Sequence, residues 1–283
     1  MNTYDETKFI LKKYGISANK SLGQNFLIND EVVNKIVESA EITKEDLVIE
    51  IGPGLGTLTK ELLEKAGKVV AIELDKRMIE ILSDRFKLYN NFELINQDIL
   101  KINLKELIEN NNIFKKVKIV ANLPYYITTP IIMKLLEEEL KIETITVMIQ
   151  KEVADRLIEV PGGKNSGSIT YSIYYYTEAK EVLRVMPQSF IPEPAVESKV
   201  IQLNIRKEKN INVNDKDLMF KLIKYAFMQR RKTLVNAWEK TEFFNNKNEI
   251  KTMLNSFKIS EKARGEELTM EQYAQIADYL CKN

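Results

Sequence analysis

The most explicit chemistry in this 283-residue chain lies in Asn122-Leu123-Pro124-Tyr125-Tyr126. Asn122 offers an amide oxygen and Leu123 a backbone carbonyl, two acceptors side by side. Pro124 donates no backbone hydrogen bond and biases Leu123 toward an extended conformation, which helps fix the direction of that carbonyl. Paired acceptors of this kind can grip the N–H groups of an exocyclic amine such as adenine's. That amine is a poor nucleophile because its lone pair is delocalised into the ring, so its N–H groups must be held by acceptors aimed out of the ring plane. Tyr125 adds a flat face on which a base can stack, worth roughly 1–3 kcal/mol. Stacking offsets part of the few kcal/mol needed to extrude a base. In isolation the segment also reads as an ordinary turn at a strand end.

Three further features precede it in order. Glu50-Ile51-Gly52-Pro53-Gly54-Leu55-Gly56 is a glycine-rich turn between a strand and a helix. Such a turn bends tightly and lets a ligand approach the backbone at the carboxyl end of the first strand. Its G-x-G-x-G spacing differs from the G-x-G-x-x-G of dinucleotide sites, which argues against a dehydrogenase. Glu73 falls 21 residues after Gly52, near the separation at which a carboxylate reaches the hydroxyls of a bound ribose. An ordinary strand-end charge is the alternative there, and Asp75 is a rival. Asp98, after the third strand, can accept a hydrogen bond from an adenine amino group, or can serve as a cap.

The elements that must position these residues are apolar runs of strand length alternating with amphipathic segments. Residues 47–51, 68–74, 92–95, 117–121 and 143–149 read as buried strands, and 57–65, 76–86 and 128–140 as helices. Residues 179–185 and 198–205 give two more strands, the last a candidate for antiparallel pairing. The expected fold is therefore α/β, with a mostly parallel seven-stranded sheet. Beyond Lys207 the period turns helical, as in Leu218, Leu222, Tyr225 and Ala226 and again in Tyr273, Ile276, Ala277 and Leu280. Two domains are expected, residues 1–208 and a small α-helical domain over 209–283.

Charge and composition narrow the function classes. Residues 206–283 hold 16 Lys/Arg against 11 Asp/Glu, and residues 199–232 hold 10 against 3. That asymmetry suits an anionic partner, or simply a solvated lysine-rich surface. The chain contains no histidine and one cysteine, Cys281. Ser-His-Asp and Cys-His catalysis, His-ligated metals, intrachain disulfides and cysteine zinc clusters are excluded. No metal site is expected. The polar start, Met-Asn-Thr-Tyr-Asp-Glu, and the absence of a long apolar run point to a cytoplasmic protein that does not engage the membrane.

Taken together, these motifs resemble the KsgA family of small-subunit ribosomal RNA adenine dimethyltransferases, over nearly the whole chain. The resemblance is carried by Gly23-Gln24-Asn25-Phe26-Leu27, Glu50 to Gly56, Glu73-Leu74-Asp75, Asp98, Asn122 to Tyr125 and Thr129-Pro130-Ile131. It continues through the run from Phe190 to Ser198 and Gln229-Arg230-Arg231-Lys232-Thr233-Leu234. It implies a Rossmann-like class I methyltransferase fold and S-adenosylmethionine held by Asn25, Leu27, Gly52, Glu73, Asp98 and Asn122. It also implies two methyl groups on each of two adjacent adenosines in the 3′-terminal hairpin loop of the small-subunit RNA, within an immature ribosomal subunit. Asn122, Leu123, Pro124 and Tyr125 would form the catalytic segment, and a monomer is expected. A large-subunit methyltransferase of the macrolide-resistance type, or an assembly factor with secondary methylation activity, are the competing expectations.

Other residues fit beside that resemblance. Phe190, ahead of a loop stiffened by two prolines, can face Tyr125 across a flipped base, or can be a core residue. Arg230, Arg231 and Lys232 suit phosphate contacts, or a solvated helix end. The Gly162 to Gly167 loop and Lys12, Lys13 and Lys20 are further candidates for touching RNA. Tyr171, Tyr174, Tyr175 and Tyr176 read as packing.

Overall fold

A computed structural model describes residues 1–19 and 22–282; Lys20 lies outside the described residues. In chain order, the first elements are α1 (Thr3–Lys13), β1 (Phe26–Leu27), α2 (Asp30–Ser39), β2 (Asp46–Ile51), α3 (Thr57–Lys65) and β3 (Lys68–Glu73). Next come α4 (Lys76–Phe86), β4 (Phe92–Asn96), α5 (Leu104–Glu109), β5 (Lys116–Asn122), α6 (Thr128–Glu137), β6 (Thr144–Gln150) and α7 (Lys151–Leu157). Then follow α8 (Ser168–Tyr176), β7 (Thr177–Val185), β8 (Phe190–Ile191) and β9 (Ser198–Ile205). The remainder is helical: α9 (Lys216–Met228), α10 (Leu234–Trp238), α11 (Lys247–Ser256) and α12 (Met270–Leu280).

Contacts group the chain into two units. The first comprises Met1–Ala154 with Ala179–Ile205. Its seven-stranded sheet has the order β4-β3-β2-β5-β6-β9-β7. Strands β4, β3, β2, β5 and β6 pair in parallel, and β9 pairs antiparallel with β6. Every residue of β2 is buried, as expected when helices cover both faces of a parallel sheet. The helices pack through stripes at helical spacing, such as Met78, Ile81, Leu82 and Phe86 on α4. Asn29 and Asp75 cap α2 and α4 by accepting hydrogen bonds from first-turn backbone N–H groups. The expected seven-stranded, mostly parallel sheet is the one formed, with its antiparallel strand at β9.

The second unit comprises Asp155–Glu178 with the chain from Arg206 onward. The sequence places residues 155–178 with the sheet, whereas their contacts lie with the C-terminal helices. The cause is aromatic packing. The buried Tyr171 hydroxyl donates to the carbonyls of Leu268 at 2.6 Å and Gly265 at 3.2 Å. Its ring meets Tyr273 and Phe227, while Tyr175 and Tyr176 pack on Phe220. Tyr171, Tyr175 and Tyr176 are thus packing, as the sequence suggests. Trp238 completes this core, its indole N–H donating to the Leu222 carbonyl at 3.1 Å. Among the described residues no helix is long and apolar enough to cross a membrane.

Candidate active site

The order of strands reverses at β2: β3 and β4 extend to one side of it and β5 and β6 to the other. Open α/β sheets bind ligands in the crevice that such a reversal leaves at the carboxyl ends of the strands. Register brings the motifs to that edge. Ile51 sits opposite both Ile72 and Ala121, so Gly52, Glu73 and Asn122 emerge side by side, with Asp98 just past the end of β4. A cleft open to solvent is lined by Gly52, Glu73, Asp98, Asn122, Leu123, Pro124 and Tyr125. Asn25 and Leu27 form part of its wall. All the residues expected to hold the cofactor and all those of the catalytic segment therefore meet at one cleft.

The glycine turn has the backbone that its residues allow. Gly52 and Gly56 have φ of 66° and 83°, in the left-handed region. A side chain at Gly52 would find open space, with no atom within 4 Å of its Cβ. At Gly56, by contrast, a Cβ would lie 2.5 Å from the Phe86 ring and 2.9 Å from Leu82. The first glycine keeps the cleft open; the last lets α3 lie close to α4.

Glu73 is anchored by the backbone. One carboxylate oxygen accepts from the N–H groups of Leu74 and Asp75, both at 2.8 Å, and the other accepts from Gly54 at 3.2 Å. Burial raises its pKa, while those N–H groups, which favour the charged form, pull it back. Its rival Asp75 does not line the cleft. It accepts from the Arg77 backbone N–H at 3.0 Å and pairs with the Arg77 guanidinium, which holds its carboxyl below the usual range. Asp98 accepts from the Leu100 N–H at 3.0 Å, so it caps its own loop as well as lining the cleft.

In the acceptor segment, the Asn122 amide donates from Nδ2 to the Asn25 carbonyl at 3.3 Å. The Leu123 N–H donates to the Met148 carbonyl at 3.1 Å, fixing that peptide to the end of β6. The Pro124 carbonyl accepts from the Thr128 hydroxyl at 3.1 Å and the Ile127 N–H at 3.2 Å, which closes the turn into α6. Tyr125 is half-buried. Its hydroxyl shares a 2.7 Å hydrogen bond with Ser198 Oγ, and burial raises the pKa of the phenol. One end of the ring is thereby tied down.

Phe190 is not brought into the cleft. It is 2% exposed and pairs with Leu27 in the short antiparallel β1–β8 ladder. Its ring belongs to the hydrophobic core, the alternative its sequence leaves open, and in this structure it is not among the residues lining the cleft with Tyr125. Arg230, Arg231 and Lys232 are exposed, in the turn between α9 and α10 rather than on a helix. Arg230 Nη2 donates to the Ser166 carbonyl at 3.4 Å, tying that turn to the loop around Gly162 and Gly167. Lys13 is engaged with Asp84 and Tyr14. Sequence reasoning misses Glu50, which lies at the cleft with 1% exposure. Burial pushes its carboxyl up to about 8, with the charge of Glu73 adding to the shift and the Thr59 hydroxyl, 2.6 Å away, opposing it. A charge flanked by Ile49 and Ile51 inside the apolar run 47–51 is the signal that could have found it. Tyr126, in the same segment but given no role from the sequence, also lines the cleft and is 59% exposed. Among the described residues no cluster of acidic or sulfur side chains is arranged to hold a metal ion.

A family model described as ribosomal RNA adenine dimethylase matches residues 15–282. The chain belongs to the ribosomal RNA adenine dimethylase family. Proteins named ribosomal RNA small subunit methyltransferase A are among its relatives. The one from Alkaliphilus oremlandii is 46% identical over 98% of this chain and 96% of its own length. That from Clostridium botulinum strain Okra is 48% identical over 97% and 98%. A dimethyladenosine transferase structure from Plasmodium falciparum aligns with a TM-score of 0.75 at 27% identity, covering 91% of this chain and 98% of that one. The 23S rRNA methyltransferase ErmE aligns at 0.68 and 23% identity, over 91% and 100%, a likeness of fold. The sheet, with its strand order and with β9 antiparallel to β6, is that of the class I methyltransferases.

Proposed function

We propose that the chain transfers methyl groups from S-adenosylmethionine to the N6 amines of two adjacent adenosines in the 3′-terminal hairpin loop of small-subunit ribosomal RNA. The observation that carries this reading is the meeting of Gly52, Glu73, Asp98 and the Asn122 to Tyr125 segment around a single cleft. The small-subunit assignment rests on relatives of that name at 46–48% identity, against a large-subunit enzyme that shares the fold.

The residues fit a nucleoside-bearing donor. An open glycine turn sits beside a buried carboxylate held at a strand end, with a second carboxylate farther along the cleft. When bound, S-adenosylmethionine supplies a methyl group already activated on a cationic sulfur. Gly52 gives the ligand room against the backbone, and Asn25 and Leu27 close over it. Glu73 accepts hydrogen bonds from the ribose hydroxyls, and Asp98 accepts one from the adenine amino group. On the acceptor side, the Asn122 side-chain oxygen and the Leu123 carbonyl hold the N–H groups of the target amine. Tyr125 holds the ring of the flipped base. Positioning and exclusion of water then provide most of the rate, and the proton shed after attack passes to water. No imidazole is needed.

In the helical unit, the exposed Arg230, Arg231 and Lys232 take RNA phosphates. The protein acts as a monomer in the cytoplasm on an immature subunit. The test is a labelled-methyl assay on small subunits isolated from a strain lacking this activity, run beside protein-free large-subunit RNA. Label should appear in the small subunit as N6,N6-dimethyladenosine. Label confined to the large-subunit RNA would favour the macrolide-resistance reading, and no label in either would reject the proposal.

A further inference from the structure

The wall of the cleft from Leu22 to Leu27 is a strap held at three points. Leu27 is paired with β8. The Asn25 carbonyl accepts from Asn122 Nδ2 at 3.3 Å. Just before them, Gln24 uses both ends of its amide. Its Nε2 donates to Asp75 Oδ2 at 2.9 Å, and its Oε1 accepts from the Asn19 N–H at 2.8 Å. Its own backbone N–H donates to the Asn19 carbonyl at 3.2 Å. Asp75 is in turn fixed at the start of α4, where it caps the helix and pairs with Arg77.

We propose that Gln24 is a positioning residue for the acceptor amide: by anchoring the strap to Asp75, it sets the Asn25 carbonyl against Asn122. This inference rests on the methyl-transfer reading above. An asparagine side chain can present either an acceptor oxygen or a donor NH2 to the same space. The target amine needs the oxygen. With Nδ2 committed to the Asn25 carbonyl, Asn122 leaves Oδ1 for the cleft. That carbonyl lies in the peptide Asn25 shares with Phe26, so its direction depends on how the strap is held on both sides, by the β1–β8 ladder after it and by Gln24 before it. The amide at position 24 satisfies both neighbours, donating to a carboxylate on one side and accepting from a backbone N–H on the other. Glutamate there would set two carboxylates together.

The chemistry suggests a swap. Gln24→Glu removes the donor, and Asp75→Asn alone loses the acceptor that Gln24 uses. The double variant restores a donor–acceptor pair with its sense reversed, and asparagine still caps α4. Each single variant should lower kcat by about tenfold or more, and the double should return to within about threefold of wild type, the signature of a coupled pair. The Kd for S-adenosylmethionine, measured by equilibrium dialysis, should change less than kcat across the set. The side-chain amide signal of Asn122 in nitrogen-15 NMR should move in the singles and return in the double. Single variants as active as wild type, a double variant as impaired as the singles, or losses of kcat that follow the melting temperature would each overturn the inference. Wild-type protein that methylates neither RNA would instead refute the reading on which it rests.

Discussion

Alanine at Gly52 and alanine at Gly56 should separate what the glycine turn does for the ligand from what it does for the fold. Both glycines have positive φ, so either substitution carries the left-handed strain of an L-residue, roughly 1–2 kcal/mol. They differ in what the new methyl group meets. At Gly56 it falls 2.5 Å from the Phe86 ring and 2.9 Å from Leu82, inside the α3–α4 packing. Overpacking of that kind adds about 1–3 kcal/mol, so Gly56→Ala should lose about 2–5 kcal/mol in all. At Gly52 nothing lies within 4 Å, and stability should fall only by the strain. That methyl instead stands in the cleft, and it should weaken binding of S-adenosylmethionine by about tenfold or more, equivalent to about 1.4 kcal/mol. Urea unfolding reports the first quantity and equilibrium dialysis the second. A Gly52→Ala protein that binds the donor as wild type does, or a Gly56→Ala protein destabilised by less than about 1 kcal/mol, would refute the assignment of roles.

Tyr125→Phe keeps the stacking face and loses the hydrogen bond to Ser198; it should cost about 1 kcal/mol of stability while retaining transfer. Tyr125→Ala should lower transfer by about 10- to 100-fold, from the loss of stacking, and equal rates for the two variants would contradict the platform. Glu50 keeps its proton up to about pH 8 in the fold, whereas the unfolded chain releases it near 4.5. Between these values the unfolded state binds fewer protons, so stability should fall by several kcal/mol as pH rises. Glu50→Gln should flatten that slope in urea titrations, and an unchanged slope would assign it to other groups. Replacing Arg230, Arg231 and Lys232 by alanine should weaken RNA binding and reduce its salt slope by about one for each phosphate no longer neutralised. An unaltered slope would show that the turn does not touch the RNA.

The strands at the centre of the sheet were legible because burial on both faces makes them continuous apolar runs, and their ends fell within a few residues of those observed. The cleft was legible for a related reason: each of its motifs follows such a strand, and a parallel sheet delivers all those ends to one edge. What escaped was non-local. Strands β1 and β8 are two residues each and exist only through pairing across more than 160 residues of chain. Their short sequences have no period to detect. Ser168–Tyr176 precedes a strand of the sheet, yet its tyrosines find partners at Phe220, Phe227 and Tyr273, which reassigns the whole segment. Phe190 has a type and a neighbourhood suited equally to a base platform and to a core, and its burial follows from a pairing with Leu27 that its local sequence does not show. Gln24 and Asp75 lie 51 residues apart, and their hydrogen bond leaves no trace in spacing.

The most direct measurement is single-turnover transfer of labelled methyl groups to small-subunit RNA by Asn122→Ala, with donor binding and the unfolding midpoint taken on the same preparation. Loss of one oriented hydrogen-bonding group at a reacting centre costs roughly 100-fold or more. Transfer should therefore nearly vanish, while the midpoint stays close to that of wild type. Transfer at the wild-type rate would mean that this amide does not hold the amine, and that the cleft works by other means.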